Sequence, residues 1–273
     1  MTLAIILVAG SLIGLSLGAL GGGGSVLTVP ALVYGLGQTA VQATTGSLVV
    51  VGITSLVGAI TAYRSGHVLV TRGLAFGALA IGGAAVGAKA SSLVPQPVLL
   101  AAFAALLLVA AIVMLSRQLR VRRERPGVPL QGLADAPIIR FTPRFGCDCA
   151  RALKLLMTAT IVGLLTGFFG VGGGFLVVPA LVLALGLPMT YAAGTSLVVI
   201  TITSASALVV RAGSGAHPSW SLVALLTAMA VAGGWAGVRL ATRTDIAKLQ
   251  AAFTALLVLV AGYIAWQAVP ALT

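Results

Sequence analysis

Two glycine runs are the residues of this 273-residue chain best placed to do chemistry. Gly21-Gly22-Gly23-Gly24-Ser25 is followed by the apolar stretch Val26–Leu36, with Pro30 in its first turns; Gly170-Val171-Gly172-Gly173-Gly174 is followed by Phe175–Leu185, with Pro179. A short helix starting on such a run offers unpaired backbone N–H groups and the positive end of its dipole, which together bind anions. Glycine removes the side chain that would block the approach and accepts a positive φ. Gly22, Gly23, Gly24 and Ser25, with Gly172, Gly173 and Gly174, are therefore candidate substrate-binding residues, and Pro30 and Pro179 candidate structural hinges. Hydroxyls follow each run at the start of the next apolar stretch: Thr44, Thr45 and Ser47, then Thr195 and Ser196. Thr45, Ser47, Thr195 and Ser196 join the candidate set as donors to an oxyanion, with helix bridging or a bond to their own helix as the competing use. Thr54, Ser55, Thr203 and Ser204 lie two turns further on, where bridging is the stronger expectation.

Other chemistries lack their residues. The four acids are Glu124, Asp135, Asp148 and Asp245, none within a long apolar stretch, which disfavours a carboxylate proton relay or cation site. His67 and His217 fall in loops, where an interfacial role is expected. Cys147-Asp148-Cys149 lacks the further ligands of a zinc site, so two free thiols and no metal are expected. No Ser/His/Asp constellation can be assembled. The expectation is a protein that is not an enzyme and uses no cofactor.

The elements that must position the glycines are membrane helices. Hydrophobic residues make up 59% of the chain and charged ones only 7%, with mean hydropathy +1.15, whereas soluble domains are about 25% charged. Stretches near Leu3–Leu20, Ala43–Ala62, Leu69–Ala88, Pro97–Leu115, Ala152–Phe169, Thr190–Val210, Ser219–Val238 and Ala247–Val269 each approach the roughly 20 residues a spanning helix needs. The net charge of +12 does not signal a nucleic-acid partner: nine of the sixteen bases lie in Arg117–Lys154 without interleaved aromatics. Charge beside membrane spans is the better reading.

Offsetting the sequence by 149 residues pairs Gly14–Ser55 with Gly163–Ser204, about half of the positions being identical. GLSLGALGGGGSVLTVPALVYGLG answers GLLTGFFGVGGGFLVVPALVLALG, and Gly83-xxx-Gly87 answers Gly233-xxx-Gly237. The expected fold is an all-α polytopic membrane protein of about eight transmembrane helices. Two four-helix units, residues 1–115 and 151–273, flank a basic cytoplasmic loop at 116–150. Eleven helical residues cover about 16 Å, and so do five extended ones. Each glycine run is therefore expected to enter extended to midplane, and its half-helix to return to the same face as a re-entrant hairpin lining a cavity. An even number of spans per unit makes the units parallel; a full crossing by the half-helices would invert them. With the N-terminus inside, twelve bases fall on the inner face and four on the outer, so both termini are expected in the cytoplasm of a bacterial cell with this multi-pass chain in its inner membrane. The first twenty residues lack a basic n-region and recur at residue 163, which argues against a cleaved signal.

Two copies of the glycine-rich segment followed by Val-Pro-Ala-Leu, the later Gly-Thr-Ser-Leu and the paired layout resemble the TauE/SafE family of sulfite exporters over nearly the whole chain. The resemblance implies transport of sulfite, sulfoacetate or a related sulfonate, with Gly22, Gly23, Gly24, Pro30, Gly172, Gly173, Gly174 and Pro179 at signature positions. Thr45-Gly46-Ser47 departs from Gly194-Thr195-Ser196, which breaks the symmetry of the site. The expected function is a probable exporter of a small inorganic or organic sulfur anion bound at midplane by the half-helix N-termini. Its alternatives are an anion channel using the same half-helices or an uptake permease. Its partners are that anion and the lipid bilayer, a homodimer being allowed and nucleic acid not expected.

Overall fold

In the computed structural model, residues 2–91, 93–123, 149–170, 174–211, 218–241, 244, 251–252, 254–255 and 258–263 are described. Among them the regular structure is helical with no strand: α1 (Thr2–Leu20), α2 (Gly23–Pro30) continuing as a π turn (Ala31–Gly35), α3 (Ala40–Arg64), α4 (Val70–Ser91), α5 (Gln96–Arg123), α6 (Cys149–Phe169), α7 (Gly174–Ala184), α8 (Met189–Arg211) and α9 (Trp220–Ala241). Residues 258–263 are helical too, inside the expected Ala247–Val269 span. Within α3, α4, α8 and α9, the stretches Val41–Arg64, Val70–Ser91, Tyr191–Arg211 and Trp220–Leu240 are long and apolar enough to cross a membrane. The expected basic loop lies mostly outside the described residues.

Small residues set the packing. A Cβ on Gly14 or Gly18 of α1 would overlap the carbonyls of Ala230 or Gly234 of α9, and one on Gly163 or Gly167 of α6 those of Ala80 or Ala84 of α4. Gly83 and Gly87 return the contact onto Thr160 and Leu164, and Gly233 and Gly237 onto Ser11 and Leu15. Without a hydrophobic drive in lipid, helices associate where small residues let backbones approach. The glycines of Gly83-xxx-Gly87 and Gly233-xxx-Gly237 are thus packing surfaces, and they join the first expected unit to the second.

The order of these contacts gives helix direction. Along α1, Gly10, Gly14 and Gly18 meet Leu226, Ala230 and Gly234 in turn, so α1 and α9 are parallel; Gly46 meets Val223, and Thr54 meets Gly234, so α3 runs with them. By the same reading α4 is parallel to α8 (Gly73 to Thr195 and Val198, Gly77 to Ile202) and to α6. Gly52 meets Ser204 and Gly58 meets Leu197, so α3 and α8 are antiparallel.

Three expectations are corrected. The first glycine run is not extended: only Gly21 and Gly22 stand between helices, and Gly23, Gly24 and Ser25 already belong to α2. Since α1 and α3 are parallel, α2, its π turn and residues 36–39 lead the chain back toward the face where α1 begins, not to the far face that the expected hairpin returns to. The π turn begins directly after Pro30, and the Ala31 N–H still donates to Leu27 O. Secondly, α3 and its counterpart α8 point in opposite directions, so the parallel relation of the units does not hold. Thirdly, α6 runs against α1, so Cys149, where the basic segment leads into α6, and Thr2 begin on opposite faces, not the same one.

Candidate functional site

The glycine runs come together at the centre of the molecule. Gly21 and Gly170 hold positive φ of 69° and 62°, a conformation that reverses the chain and that other residues rarely adopt. Gly22 caps α2 with no side-chain hydrogen bond. A Cβ built on Gly174 at the start of α7 would lie 2.6 Å from Gly22 Cα and 2.8 Å from Gly22 O, so the N-terminal ends of α2 and α7 meet backbone to backbone. Two positive dipole ends at one point attract negative charge.

The candidate residues divide. Gly22, Gly23, Gly24, Ser25 and Gly174 are buried at this meeting point, as is Pro30 in α2. Gly24 also packs on α1, since its Cβ would lie 2.7 Å from Leu17 N. Ser25 Oγ donates to Gly22 O at 2.7 Å. Pro179 is buried within α7. Gly172 and Gly173 lie outside the described residues.

The hydroxyls act on backbone. Ser47 Oγ of α3 donates to Gly170 O, and Ser196 Oγ of α8 donates to Gly21 O. Each glycine turn is thereby fastened to a helix of the opposite half. Each serine also lies near its own helix: Ser47 is 3.0 Å from Thr44 O, and Ser196 is 2.7 Å from Ala193 O. Thr45 Oγ1 donates to Val41 O at 2.9 Å, and Thr195 Oγ1 accepts from Leu69 N at 3.1 Å. Ser47, Ser196 and Thr195 thus bridge segments, and Thr45 bonds its own helix.

Arg211 was legible only as a loop charge, yet it is 7% exposed at the end of α8. Its Nη1 donates to Thr44 Oγ1 at 2.9 Å, and Nη2 to Ser91 Oγ at 2.6 Å and Gly167 O at 3.2 Å. One guanidinium therefore joins α3, α4, α6 and α8 beside the Gly170 turn, where Thr44 Cβ lies 2.5 Å from a Cβ built on Gly170. The position 149 earlier is Ala62, and Thr44 answers Ala193, so the first turn has no such clamp. Sequence spacing carries no signal for this beyond the base standing at a helix end.

The family model for the sulfite exporter TauE/SafE matches residues 6–264. The chain is 30% identical over 263 residues to a probable membrane transporter protein of Xylella fastidiosa (strain Temecula1), covering 94% of this chain and 93% of that one. It is 31% identical over 190 residues to the probable membrane transporter protein YdhB of Bacillus subtilis, 69% and 70% of the two chains. No solved structure matches. With the glycine signature at the centre of the packed helices and the family match running almost end to end, this chain belongs to the TauE/SafE family of membrane transporters.

Proposed function

We propose that the protein is an inner-membrane carrier that exports a small sulfur oxyanion or organosulfonate, bound where the N-terminal ends of α2 and α7 meet. The observation that carries this reading is the backbone contact of Gly22 with Gly174, which brings two helix N-terminal ends together in the protein interior. The family supplies the substrate class. Energetics supply the direction: an anion leaving a negative interior gains about 2.3 kcal/mol per charge per 100 mV, so a dianion at ~150 mV gains about 7 kcal/mol, about 10⁵-fold in concentration. Export then needs no coupled ion.

The helix directions together with the charges support an orientation. Arg64, Arg72 and Arg239 stand on the face where α6 begins, and the nine bases of Arg117–Lys154 lead into that helix; Lys89 and Arg211 end their helices on the face where α1 begins. Arg239 lies over the Trp235 ring at 3.5 Å, and both line a cavity of about 280 Å³ with Arg64, Thr61 and Ser65. An excess of bases marks a cytoplasmic face, and tryptophan is common at either interface. This reading puts α1's first residue on the outer side, reversing the orientation expected from sequence.

The function is tested in liposomes loaded with labelled sulfite, sulfate or a sulfonate. Efflux of at least one, accelerated by an inside-negative potential, is the expected result. No flux of any of them by folded protein would overturn the substrate class.

A further inference from the structure

Hydroxyls in these helices have two fates. Thr45, Thr61, Thr166, Thr201, Thr203 and Thr227 each donate to the carbonyl four residues earlier. Thr54, Ser55 and Ser204 do not: all three are 0–1% exposed, and their oxygens bond to no group among the described residues. A buried hydroxyl without a partner is costly, and a turn about χ1 toward the same carbonyl is open to any helical serine or threonine.

These three residues lie between the glycine turns. Ser55 and Ser204 are each eight residues, about 12 Å, along their helices from Ser47 and Ser196, which fasten the two turns. Because α3 and α8 are antiparallel, their middles cross here. Ser204 Cβ lies 3.3 Å from a Cβ built on Gly52 of α3, and the Thr54 methyl 3.2 Å from one built on Gly234 of α9. Three unspent hydroxyls thus sit near the crossing of α3 and α8, with Ser204 and Thr54 packed closely on the bare backbone of Gly52 and Gly234.

We propose that Thr54, Ser55 and Ser204 form a second binding station for the oxyanion on its way between the two faces. The proposal rests on the carrier reading and extends it from one site to a path. Each hydroxyl offers one hydrogen bond to an oxyanion oxygen, and neutral donors hold an anion without the tight pairing that would trap it. Water takes the same donors when no anion is present.

The test uses the full-length protein with Thr54→Val, Ser55→Ala and Ser204→Ala, singly and together. At a station, removing hydroxyls that no described residue bonds leaves Tm unchanged or raises it. The same changes raise the half-saturating sulfite concentration, by about 5-fold for each donor lost. A lower Tm with proportionate loss of transport marks the hydroxyls as helix ties and overturns the proposal, as do unchanged kinetics in the triple variant. Sulfite-induced thermal stabilisation in detergent separates this outcome from the carrier reading itself. Equal shifts in wild type and triple variant, or no shift in wild type, overturn the station. A shift that shrinks in the triple variant while wild-type vesicles show no flux retains the station and overturns the carrier.

Discussion

A serine hydroxyl has one proton to donate, and where it goes decides what the residue is for. Ser47 and Ser196 give theirs to carbonyls, so neither has a donor left for an anion while the glycine turns stay fastened. At the proposed site this leaves backbone N–H groups as the donors, which suits glycines better than side chains. Arg211 is the residue that most separates the two turns. Its three bonds reach α3, α4 and α6, and bonds from a charged donor count for more than neutral ones. We expect Arg211→Ala to lower stability by roughly 3 kcal/mol, since a buried charged donor and its bulk are lost together. Arg211→Lys should recover less than half, because a point charge cannot serve hydroxyls and a carbonyl in a planar fork. Denaturation in detergent, followed by intrinsic fluorescence, measures both.

At the scale of elements, adjacent glycines in α4 have opposite jobs. A Cβ on Gly83 would lie 2.8 Å from Leu164 N of α6 and overlap the Thr160 carbonyl, whereas one on Gly82 meets nothing within 4 Å. Gly83→Ala should therefore force α4 and α6 apart and cost about 1–3 kcal/mol, the usual penalty for overpacking. Gly82→Ala should be neutral or stabilise by up to about 1 kcal/mol through helix propensity. Comparing the two melting temperatures checks the packing, and equal effects would contradict it. Sequence reading found these elements because apolar length and glycine spacing are local properties. The expected Ala152–Phe169 and Thr190–Val210 lie within α6 and α8, and the half-helices end at Gly35 and Ala184, one residue short of Leu36 and Leu185. It mistook the glycine run for extended chain because length arithmetic cannot distinguish five extended residues from a two-residue reversal. Gly21 and Gly22 make that reversal with φ of 69° and 155°, which leaves the remaining glycines free to be helical. Arg211 was missed for the related reason that burial at a helix end depends on three other helices.

At the scale of the whole molecule, contacts occur in exchanged pairs. Ser47 reaches Gly170 while Ser196 reaches Gly21, and α1 lies on α9 while α6 lies on α4. A two-fold axis in the membrane plane would produce this exchange, and would set corresponding helices antiparallel, as α3 and α8 are. Inverted units whose glycine turns meet at the centre are a geometry suited to alternating access. It also gives the two faces unequal charge, with Arg64, Arg72 and Arg239 on one and Lys89 and Arg211 on the other. If the protein lies in a bacterial inner membrane, as proposed, the positive-inside rule turns that inequality into an orientation. Cysteines introduced at Thr2 and at Ser65, in a chain whose Cys147 and Cys149 have been replaced by serine, report the two faces separately. In intact cells with a permeable outer membrane, an impermeant thiol reagent should label Thr2→Cys and spare Ser65→Cys until the inner membrane is opened. The reverse pattern would place α1's start in the cytoplasm, and labelling of both or neither from one side would contradict the helix directions themselves.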